Sequence, residues 1–250
     1  MKILFIGDIY GDPGIEILKD SLEELKKEYR PNVIIINGEN IVNGRGINKK
    51  IYLEIMKLGV HAITMGNWTW SNTDIYSFIN DSKIVRPANY LNAPGDGYKK
   101  ININGKNLLV INAMGRVYMN PSLENPFITI AEILEKEQAD YTFIDFHAEA
   151  TSEKVALGHY FDGKVDAIVG THTHVQTNDA RVLPKGTLYI TDVGMTGPRD
   201  GVIGVDKEIV IQRFLTGFSY NNAVASGVKQ LNGVFLDLDK KIIKTIHIEK

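Results

Sequence analysis

Short, uniformly apolar segments alternate with helical ones through the first 65 residues, and this alternation limits the fold more than any other feature. The apolar segments are Ile3–Gly7, Val33–Asn37 and Ala62–Met65. Between them, Ile15–Tyr29 has apolar residues at helical spacing, and Lys50–Leu58 also has a helical pattern. Strands that are apolar on both faces are typical of a parallel sheet with both of its faces covered. The pattern therefore predicts an α/β fold.

The rest of the chain adds antiparallel strands to this pattern. Tyr98–Ile103 and Leu108–Asn112 flank Asn104-Gly105, which is a hairpin turn signal. Gly233–Leu238 and Ile242–Ile248 resemble a second antiparallel pair. The remaining predicted elements are a helix at Ile128–Gln138 and short strands at Tyr141–Asp145 and Ala167–Gly170. We expect a single domain over residues 1–250, because no repeat or long linker divides the chain.

Composition excludes several classes of function. The 250 residues include no cysteine, which excludes disulfide scaffolds, thiolate zinc sites, iron–sulfur clusters and cysteine nucleophiles. Any metal site must therefore use the six histidines together with carboxylates and amides. The net charge of −2 gives no basic excess for gripping duplex nucleic acid. No signal peptide and no apolar run long enough for a membrane span is found, so we expect a cytoplasmic protein without a membrane partner.

Side chains that can bind metals follow the predicted strands at the points where those strands end. The carboxyl ends of parallel strands meet at one edge of an open sheet, so these side chains are expected to converge. They are two carboxylates, two amides and three imidazoles: Asp8, Glu39, Asn40, Asn67, His147, His172 and His174. Seven ligands are too many for one tetrahedral zinc ion but suit a centre with two metals.

These residues differ in how strongly each indicates a site. Asp8 alone after a strand is most often a turn or cap residue. Gly170-Thr-His-Thr-His174 is a stronger signal, because side chains two apart on an extended segment point to the same side. His61 and His247 precede or lie within strands, and structural roles are expected for them. No phosphate-binding Walker loop is present in the sequence.

The ordered motifs resemble those of the calcineurin-like metallophosphoesterases and, more closely, their YmdB-like branch. The motifs are Gly7-Asp8, Gly38-Glu39-Asn40, Gly66-Asn67, His147 and Gly170-Thr-His-Thr-His174, with Arg86-Pro-Ala-Asn89 and Ile190-Thr-Asp-Val-Gly-Met-Thr-Gly-Pro198 in support. They span most of the chain in collinear order. The resemblance implies a four-layer α/β/β/α sandwich of the metallophosphoesterase type, with its active site at the strand ends.

The resemblance also implies a ligand set and a reaction. It assigns Asp8, Glu39, Asn40 and His174 to one metal, and Glu39, Asn67, His147 and His172 to the second, with Glu39 bridging. The cofactors would be two divalent or mixed-valence ions, either Fe, Mn or Zn. The implied activity is hydrolysis of small phosphodiesters, including 2′,3′-cyclic nucleotides, by metal-activated water.

One position departs from the family pattern. The family continues Gly-Asn-His after the third strand and uses that histidine as the general acid, whereas this chain has Trp68. An indole offers only a neutral N–H and is a poor proton donor. His159 stands where the branch has tryptophan, which suggests an exchange in which His159 supplies the acid. The alternative is that His159 is a surface residue at a helix end and that Trp68 packs over the site.

Two other functions compete with the phosphodiesterase. One is a catalytically weakened pseudoenzyme that acts as a metal-binding regulatory scaffold, because Trp68 replaces the usual histidine. The other is a phosphomonoesterase. The expected partner is a small phosphoester or cyclic nucleotide and not duplex nucleic acid. Asn92–Tyr98 and Thr216–Ser226 have loop composition, and they are candidates for a cleft edge or for a subunit contact in a homo-oligomer.

Overall fold

The computed structural model describes residues 1–121 and 123–250, and within these residues the strands form two sheets. In chain order the strands are β1 (Lys2–Ile6), β2 (Asp8–Ile9), β3 (Val33–Asn37), β4 (Ala62–Thr64), β5 (Ile84–Val85), β6 (Tyr98–Ile103), β7 (Lys106–Met114), β8 (Tyr141–His147), β9 (Ala167–Thr171), β10 (Arg181–Val182), β11 (Leu188–Ile190), β12 (Met195–Pro198), β13 (Lys229–Asp237) and β14 (Ile242–Glu249). The helices are α1 (Gly11–Tyr29), α2 (Lys49–Lys57), α3 (Pro126–Lys136), α4 (Thr151–Tyr160) and α5 (Lys207–Thr216).

The larger sheet has the strand order β2-β12-β13-β1-β3-β4-β5, with β14 paired to β13. Its strands β1, β3, β4 and β5 are parallel, and β13 is antiparallel to β1. The second sheet has the order β10-β11-β9-β8-β7-β6. Its four central strands are parallel, and its two edge strands are antiparallel to their neighbours. The parallel strands of both sheets bring their carboxyl ends to the polar residues that follow them.

The two sheets pack face to face, and helices cover their outer faces. Phe5 of β1 and Phe143 of β8 meet in the layer between the sheets, with ring centroids 5.3 Å apart. The alternate β1 residues, Leu4 and Ile6, face the other way and pack in the same core as the apolar residues of α1 and α2. The outer face of the second sheet packs with α3 and α4 in a third apolar core. The four-layer α/β/β/α sandwich expected from the motifs is confirmed.

The predicted elements are present, with small shifts of their ends. β3 has the predicted bounds, and the predicted hairpin forms between β6 and β7. The first strand stops at Ile6, and Asp8 opens the separate strand β2 instead of ending β1. Between the two strands, Gly7 passes directly against the Gly194 carbonyl, where a Cβ atom would overlap that group. Two helices whose bounds the sequence patterns did not predict, α4 and α5, complete the fold.

Over the part of the chain that the structure describes, no helix is both long enough and apolar enough to cross a bilayer.

Candidate metal centre

The structure brings all seven predicted ligands to one edge of the sandwich. Asp8 lies in β2, His147 is the last residue of β8, and the others occupy the loops directly after β3, β4 and β9. Asp8, Glu39 and His147 are fully buried or nearly so. The main-chain N–H of His172 donates to Asp8 Oδ2 at 3.2 Å, which connects the loop after β9 to β2. Ligands from the larger sheet therefore face ligands from the second sheet.

His147 lies at the centre of this cluster. Its Nε2 atom is 3.0 Å from Glu39 Oε1, 3.0 Å from Asn67 Oδ1 and 3.0 Å from His172 Nδ1. A single ring nitrogen carries at most one proton and cannot donate to all three neighbours. Convergence of oxygen and nitrogen lone pairs on one point is the arrangement that a cation requires. Glu39, His147 and His172 together form a group whose ligand atoms all lie within 4.8 Å of one another.

The other ring nitrogen of each histidine is engaged outside the cluster. His147 Nδ1 donates to Thr171 Oγ1 at 2.8 Å, because that hydroxyl itself donates to Asp145 Oδ1. His172 Nε2 lies 3.1 Å from Glu149 Oε2, and His174 Nδ1 lies 2.8 Å from the Ile203 carbonyl oxygen. Both of these oxygens can only accept, so the ring nitrogens donate to them. The second nitrogen of each of the three imidazoles therefore faces the site, where it offers a lone pair when it carries no proton.

A second group of ligands lies beside the first. His174 Nε2 is 3.3 Å from Asn40 Oδ1. The Asn40 oxygen can only accept, because its amide nitrogen donates to the Gly44 carbonyl, and His174 places its ring proton on Nδ1, which donates to the Ile203 carbonyl. Asp8 Oδ1 is buried and has no hydrogen-bond partner among residues 1–121 and 123–250. A buried carboxylate oxygen without a partner is costly unless a cation compensates it. The oxygen and nitrogen donors at this second position also fit a metal ion.

The electrostatics of the cluster agree with its geometry. Burial lowers the pKa of His147, but the nearby Glu39 and Asp8 carboxylates outweigh that effect and raise it to about 9. Burial raises the pKa of Asp8 to about 6, against the opposing effect of His174 and His147. Burial, together with the charges of His147 and His174, lowers the pKa of His172 to about 2, so its ring stays neutral. Strongly shifted pKa values in a group of neighbouring titratable side chains are typical of functional sites.

The groups that hold the ligands in place were not identified from the sequence. Asp145 Oδ2 accepts from Asn37 Nδ2 at 3.1 Å and from Thr64 Oγ1 at 2.5 Å, so the carboxylate that supports His147 is itself fixed by the larger sheet. Burial raises the pKa of Asp145. The sequence does carry one signal for Asp145, which is a single carboxylate within a largely apolar strand. Such a carboxylate is rarely buried unless it has partners.

A buried ion pair supports the loop after β9. Lys154 Nζ of α4 is 2.6 Å from Asp192 Oδ2 and donates to the Thr171 carbonyl at 2.8 Å. The same Asp192 oxygen accepts from the main-chain N–H of Thr173 at 3.0 Å. The pair therefore fixes the backbone on both sides of His172, which has a φ of 108°.

Gly66 allows this close packing. A Cβ atom at Gly66 would overlap the His147 ring and the Glu39 carboxylate, so another residue type would displace both ligands.

Trp68 and His159 lie in different environments. Trp68 is half-buried beside the site, where its main-chain N–H donates to Glu39 Oε2 at 3.0 Å and its ring packs under the Arg45 guanidinium. His159 is exposed in the last turn of α4. Eight residues of helix, about 12 Å, separate it from Thr151 at the end of α4 that adjoins the ligands. His159 is thus an exposed residue at a helix end, as its surface alternative describes, and its exchange with Trp68 stays a prediction.

The two remaining histidines bind structural partners. His61 Nδ1 accepts from the main-chain N–H of Ile34 at 3.1 Å, and His247 Nδ1 lies 2.7 Å from Asn232 Oδ1. Neither contact involves a residue of the cluster.

Comparison with known proteins identifies the family. The family described as YmdB-like protein matches residues 4–250. The 2′,3′-cyclic-nucleotide 2′-phosphodiesterase of Bacillus subtilis is 50% identical over 254 residues, which cover 100% of this chain and 96% of that protein. The crystal structure of a hypothetical protein from Thermus thermophilus matches with a TM-score of 0.96 at 39% identity over 100% of both chains. A novel phosphatase from Mycoplasma pneumoniae matches with a TM-score of 0.93 at 39% identity, covering 100% of this chain and 93% of the other. The chain therefore belongs to the YmdB-like family and is a metallophosphoesterase, as its motifs indicated.

Proposed function

We propose that this chain is a dinuclear metal phosphodiesterase that hydrolyses small phosphodiesters, with 2′,3′-cyclic nucleotides among its substrates. The observation that carries the proposal is the convergence of three imidazole nitrogens with carboxylate and amide oxygens at two adjacent positions. The name of the Bacillus subtilis relative, a 2′,3′-cyclic-nucleotide 2′-phosphodiesterase, supports the substrate class.

The ligands divide into two sets that share one carboxylate. One cation would be held by Asp8, Glu39, Asn40 and His174, and the other by Glu39, Asn67, His147 and His172. Mixed nitrogen and oxygen donors suit iron, manganese or zinc. When bound, two such cations stabilise negative charge on the phosphate oxygens and lower the pKa of the attacking water.

The protein's own contribution is to fix the shared carboxylate and the imidazoles before substrate arrives. Glu39 Oε2 accepts the Trp68 main-chain N–H, which leaves Glu39 Oε1 directed at His147. The main-chain N–H of His172 holds the other buried carboxylate, Asp8, through Oδ2. Ligands held by hydrogen bonds in this way lose little entropy when the site forms.

The chain provides no strong acid at the position where the family uses histidine. The Trp68 indole cannot protonate a leaving oxygen at neutral pH. Hydrolysis should therefore favour phosphoesters whose bond to the leaving oxygen is strained or whose leaving group is stable without a proton. A five-membered cyclic phosphate is strained, and this agrees with the proposed substrate class.

The test is a turnover assay on metal-reconstituted protein with two substrates, adenosine 2′,3′-cyclic phosphate and the monoester 5′-AMP. We expect hydrolysis of the cyclic diester that stops when the metals are chelated. Glu39→Gln should reduce kcat/KM by more than about 100-fold, since changes outside the ligand shell alone cost about 10- to 100-fold in such sites. Glu24→Gln, at an exposed position of α1, is the matched control and should retain activity.

Elemental analysis of the same samples distinguishes the competing functions. About two metals per chain with cyclic-diester turnover supports the proposal. Two bound metals without turnover on either substrate would instead indicate a metal-binding scaffold. A strong preference for the monoester would make the protein a phosphomonoesterase.

A further inference from the structure

A polar cavity of about 700 Å³ opens beside the loop after β3, the loop that carries Glu39 and Asn40, and the proposed hydrolysis does not use it. Its walls come from the loop after β3, with Asn43 and Arg45, and from α5 and the segment after it, with Arg213, Tyr220 and Asn222. No carboxylate occurs among the described residues that line it. The volume is that of a site for a small molecule of nucleotide size.

The loop that carries Arg45 is connected directly to two of the proposed metal ligands. Asn40 Nδ2 donates to the Gly44 carbonyl at 2.9 Å, and the main-chain N–H of Gly46 donates to the Glu39 carbonyl. Both glycines have positive φ, 84° and 70°, which allows the tight loop that these bonds close. Arg45 lies between them, so its backbone is held in place relative to the metal centre.

The Arg45 side chain is positioned but not paired. Its guanidinium carbon lies 4.2 Å from the centroid of the Trp68 ring, and the Trp68 main chain is hydrogen-bonded to Glu39. Within the described residues, the guanidinium makes neither a hydrogen bond nor an ion pair with any protein group. A guanidinium stacked on an aromatic face keeps its N–H donors free at its edge. Those donors are available to an anionic ligand next to the metal centre.

Arg213 supplies a second cation from the other wall. One of its terminal nitrogens donates to the Tyr220 carbonyl at 3.1 Å and to Asn222 Oδ1 at 2.5 Å. These bonds fix the orientation of the side chain, and its Nε and remaining terminal nitrogen have no partner among the described residues. Two oriented guanidinium groups therefore line one cavity that has no described carboxylate in its wall.

We propose that this cavity binds a second phosphate group of the substrate, one that is not hydrolysed, through Arg45 and Arg213. The proposal rests on the proposed function and narrows it to nucleotides that carry a phosphate besides the scissile one. The planar guanidinium group of arginine can donate two parallel hydrogen bonds to the oxygens of one phosphate. A bound phosphate would therefore explain why two arginines line the cavity without an acidic partner. A nucleobase alone would favour aromatic walls, and Tyr220 is the only aromatic residue among the described lining.

The test compares a cyclic mononucleotide with a dinucleotide that ends in the same cyclic phosphate. Adenosine 2′,3′-cyclic phosphate has one phosphate, and adenylyl-adenosine 2′,3′-cyclic phosphate adds one internucleotide phosphate. For the metal-loaded enzyme we expect kcat/KM to be about tenfold higher with the dinucleotide. A factor of about ten corresponds to the free energy of one charge-assisted hydrogen bond. Arg45→Gln and Arg213→Gln should each remove most of this ratio, and Arg45→Lys should recover part of it. Arg30→Gln, exposed at the end of α1, is the control and should retain the ratio.

Binding measurements separate the sources of the second phosphate. Calorimetry would compare adenosine 3′,5′-bisphosphate with 5′-AMP on the same proteins. Tighter binding of the bisphosphate, reduced by Arg45→Gln, supports a site for a terminal phosphate, whereas a dinucleotide preference supports a site for an internucleotide phosphate. If the wild type shows neither preference but hydrolyses the cyclic mononucleotide, the cavity proposal is overturned and the proposed function stands. If neither substrate is hydrolysed, the proposed function fails, and the calorimetry still decides whether the cavity binds phosphate.

Discussion

His147 shows how its neighbours prepare a single buried imidazole for a cation. Thr171 Oγ1 accepts a hydrogen bond from Nδ1–H, which directs Nε2 toward Glu39, Asn67 and His172. Without metal, the pKa of His147 is raised to about 9 because the nearby carboxylates outweigh burial. The metal-free ring is thus protonated at neutral pH, and a cation that binds Nε2 must displace that proton.

Metal binding at pH 7.5 is therefore expected to release about one proton per chain from His147. The release should disappear as the pH rises above about 9, because the ring is then already neutral. Calorimetric titration with Mn²⁺ in HEPES and in Tris, which differ in ionisation enthalpy, measures the number released. Equal heats in the two buffers would contradict the prediction. His159→Gln, which changes an exposed histidine outside the cluster, should leave the number unchanged.

Trp68 can be tested by restoring the family residue. Trp68→His should raise kcat on adenosine 2′,3′-cyclic phosphate by about 10²-fold, the lower end of the usual contribution of an acid catalyst. It should change little with bis(p-nitrophenyl) phosphate, whose leaving group needs no proton. Trp68→Phe removes the indole without adding an acid and is the matched control. A gain in both variants, or in neither, would show that proton donation at this position does not limit the reaction.

At the scale of elements, neighbouring strands place the hydrogen-bonded groups that support the proposed metal ligands. The parallel pairing of β8 and β9 sets His147 opposite Thr171. Asn37 at the end of β3 and Thr64 at the end of β4 hold Asp145 from the other sheet. A hydrogen-bonded path thus runs from the larger sheet through Asp145 to His147.

Thr171→Val should interrupt this path. The change keeps the size of the side chain but removes the hydroxyl, so the imidazole loses its orientation and metal affinity should fall about 10- to 100-fold. Competition with a chelating dye measures the affinity. Thr173→Val alters a hydroxyl whose two contacts are long, a bond of 3.4 Å from the Val175 main-chain N–H and one of 3.5 Å to the Val175 carbonyl, and it should have little effect. Equal affinities in the two variants would contradict the role of this path.

The Lys154–Asp192 pair makes a separate prediction for α4. Lys154→Met leaves a buried carboxylate without its cation, so the free energy of unfolding should fall by about 3–5 kcal/mol. Urea denaturation of the metal-free protein measures it, with Lys136→Met at an exposed position of α3 as the control. A decrease in the free energy of unfolding below about 1 kcal/mol would show that other groups stabilise the Asp192 carboxylate when Lys154 is removed.

The same pair explains what the sequence could not predict. Strand β3 was predicted with its observed bounds because four of its five residues are apolar, and the structure buries all five. α4 has only three buried positions, and one of them is Lys154, whose partner lies 38 residues further along the chain. No local pattern indicates such a helix. The family resemblance likewise set His159 against a tryptophan but could not show that the His159 side chain is exposed.

At the scale of the whole molecule, the candidate metal centre lies across the junction of the two sheets. Asp8, Glu39 and Asn67 come from the larger sheet, and His147 and His172 come from the second. The apolar layer represented by Phe5 and Phe143 holds the sheets together below this edge. At the edge itself, buried carboxylates and imidazoles face each other, and one carboxylate oxygen has no partner among the described residues. The edge should therefore be the part of the interface that gains most from bound cations.

Metal loading is consequently expected to stabilise the entire fold. A ligand present at about 100 times its Kd adds about 2.7 kcal/mol to the free energy of unfolding. For a chain of this size, that corresponds to an increase in Tm of roughly 5–10 °C. Scanning calorimetry with and without chelator measures the shift. Glu39→Gln should lose most of the shift in Tm, because the substitution weakens both proposed cation positions. Glu24→Gln should keep the shift. If the metal-loaded and metal-free proteins unfold at the same temperature, the cations do not join the sheets, and the ligand atoms must already be compensated by contacts within the protein.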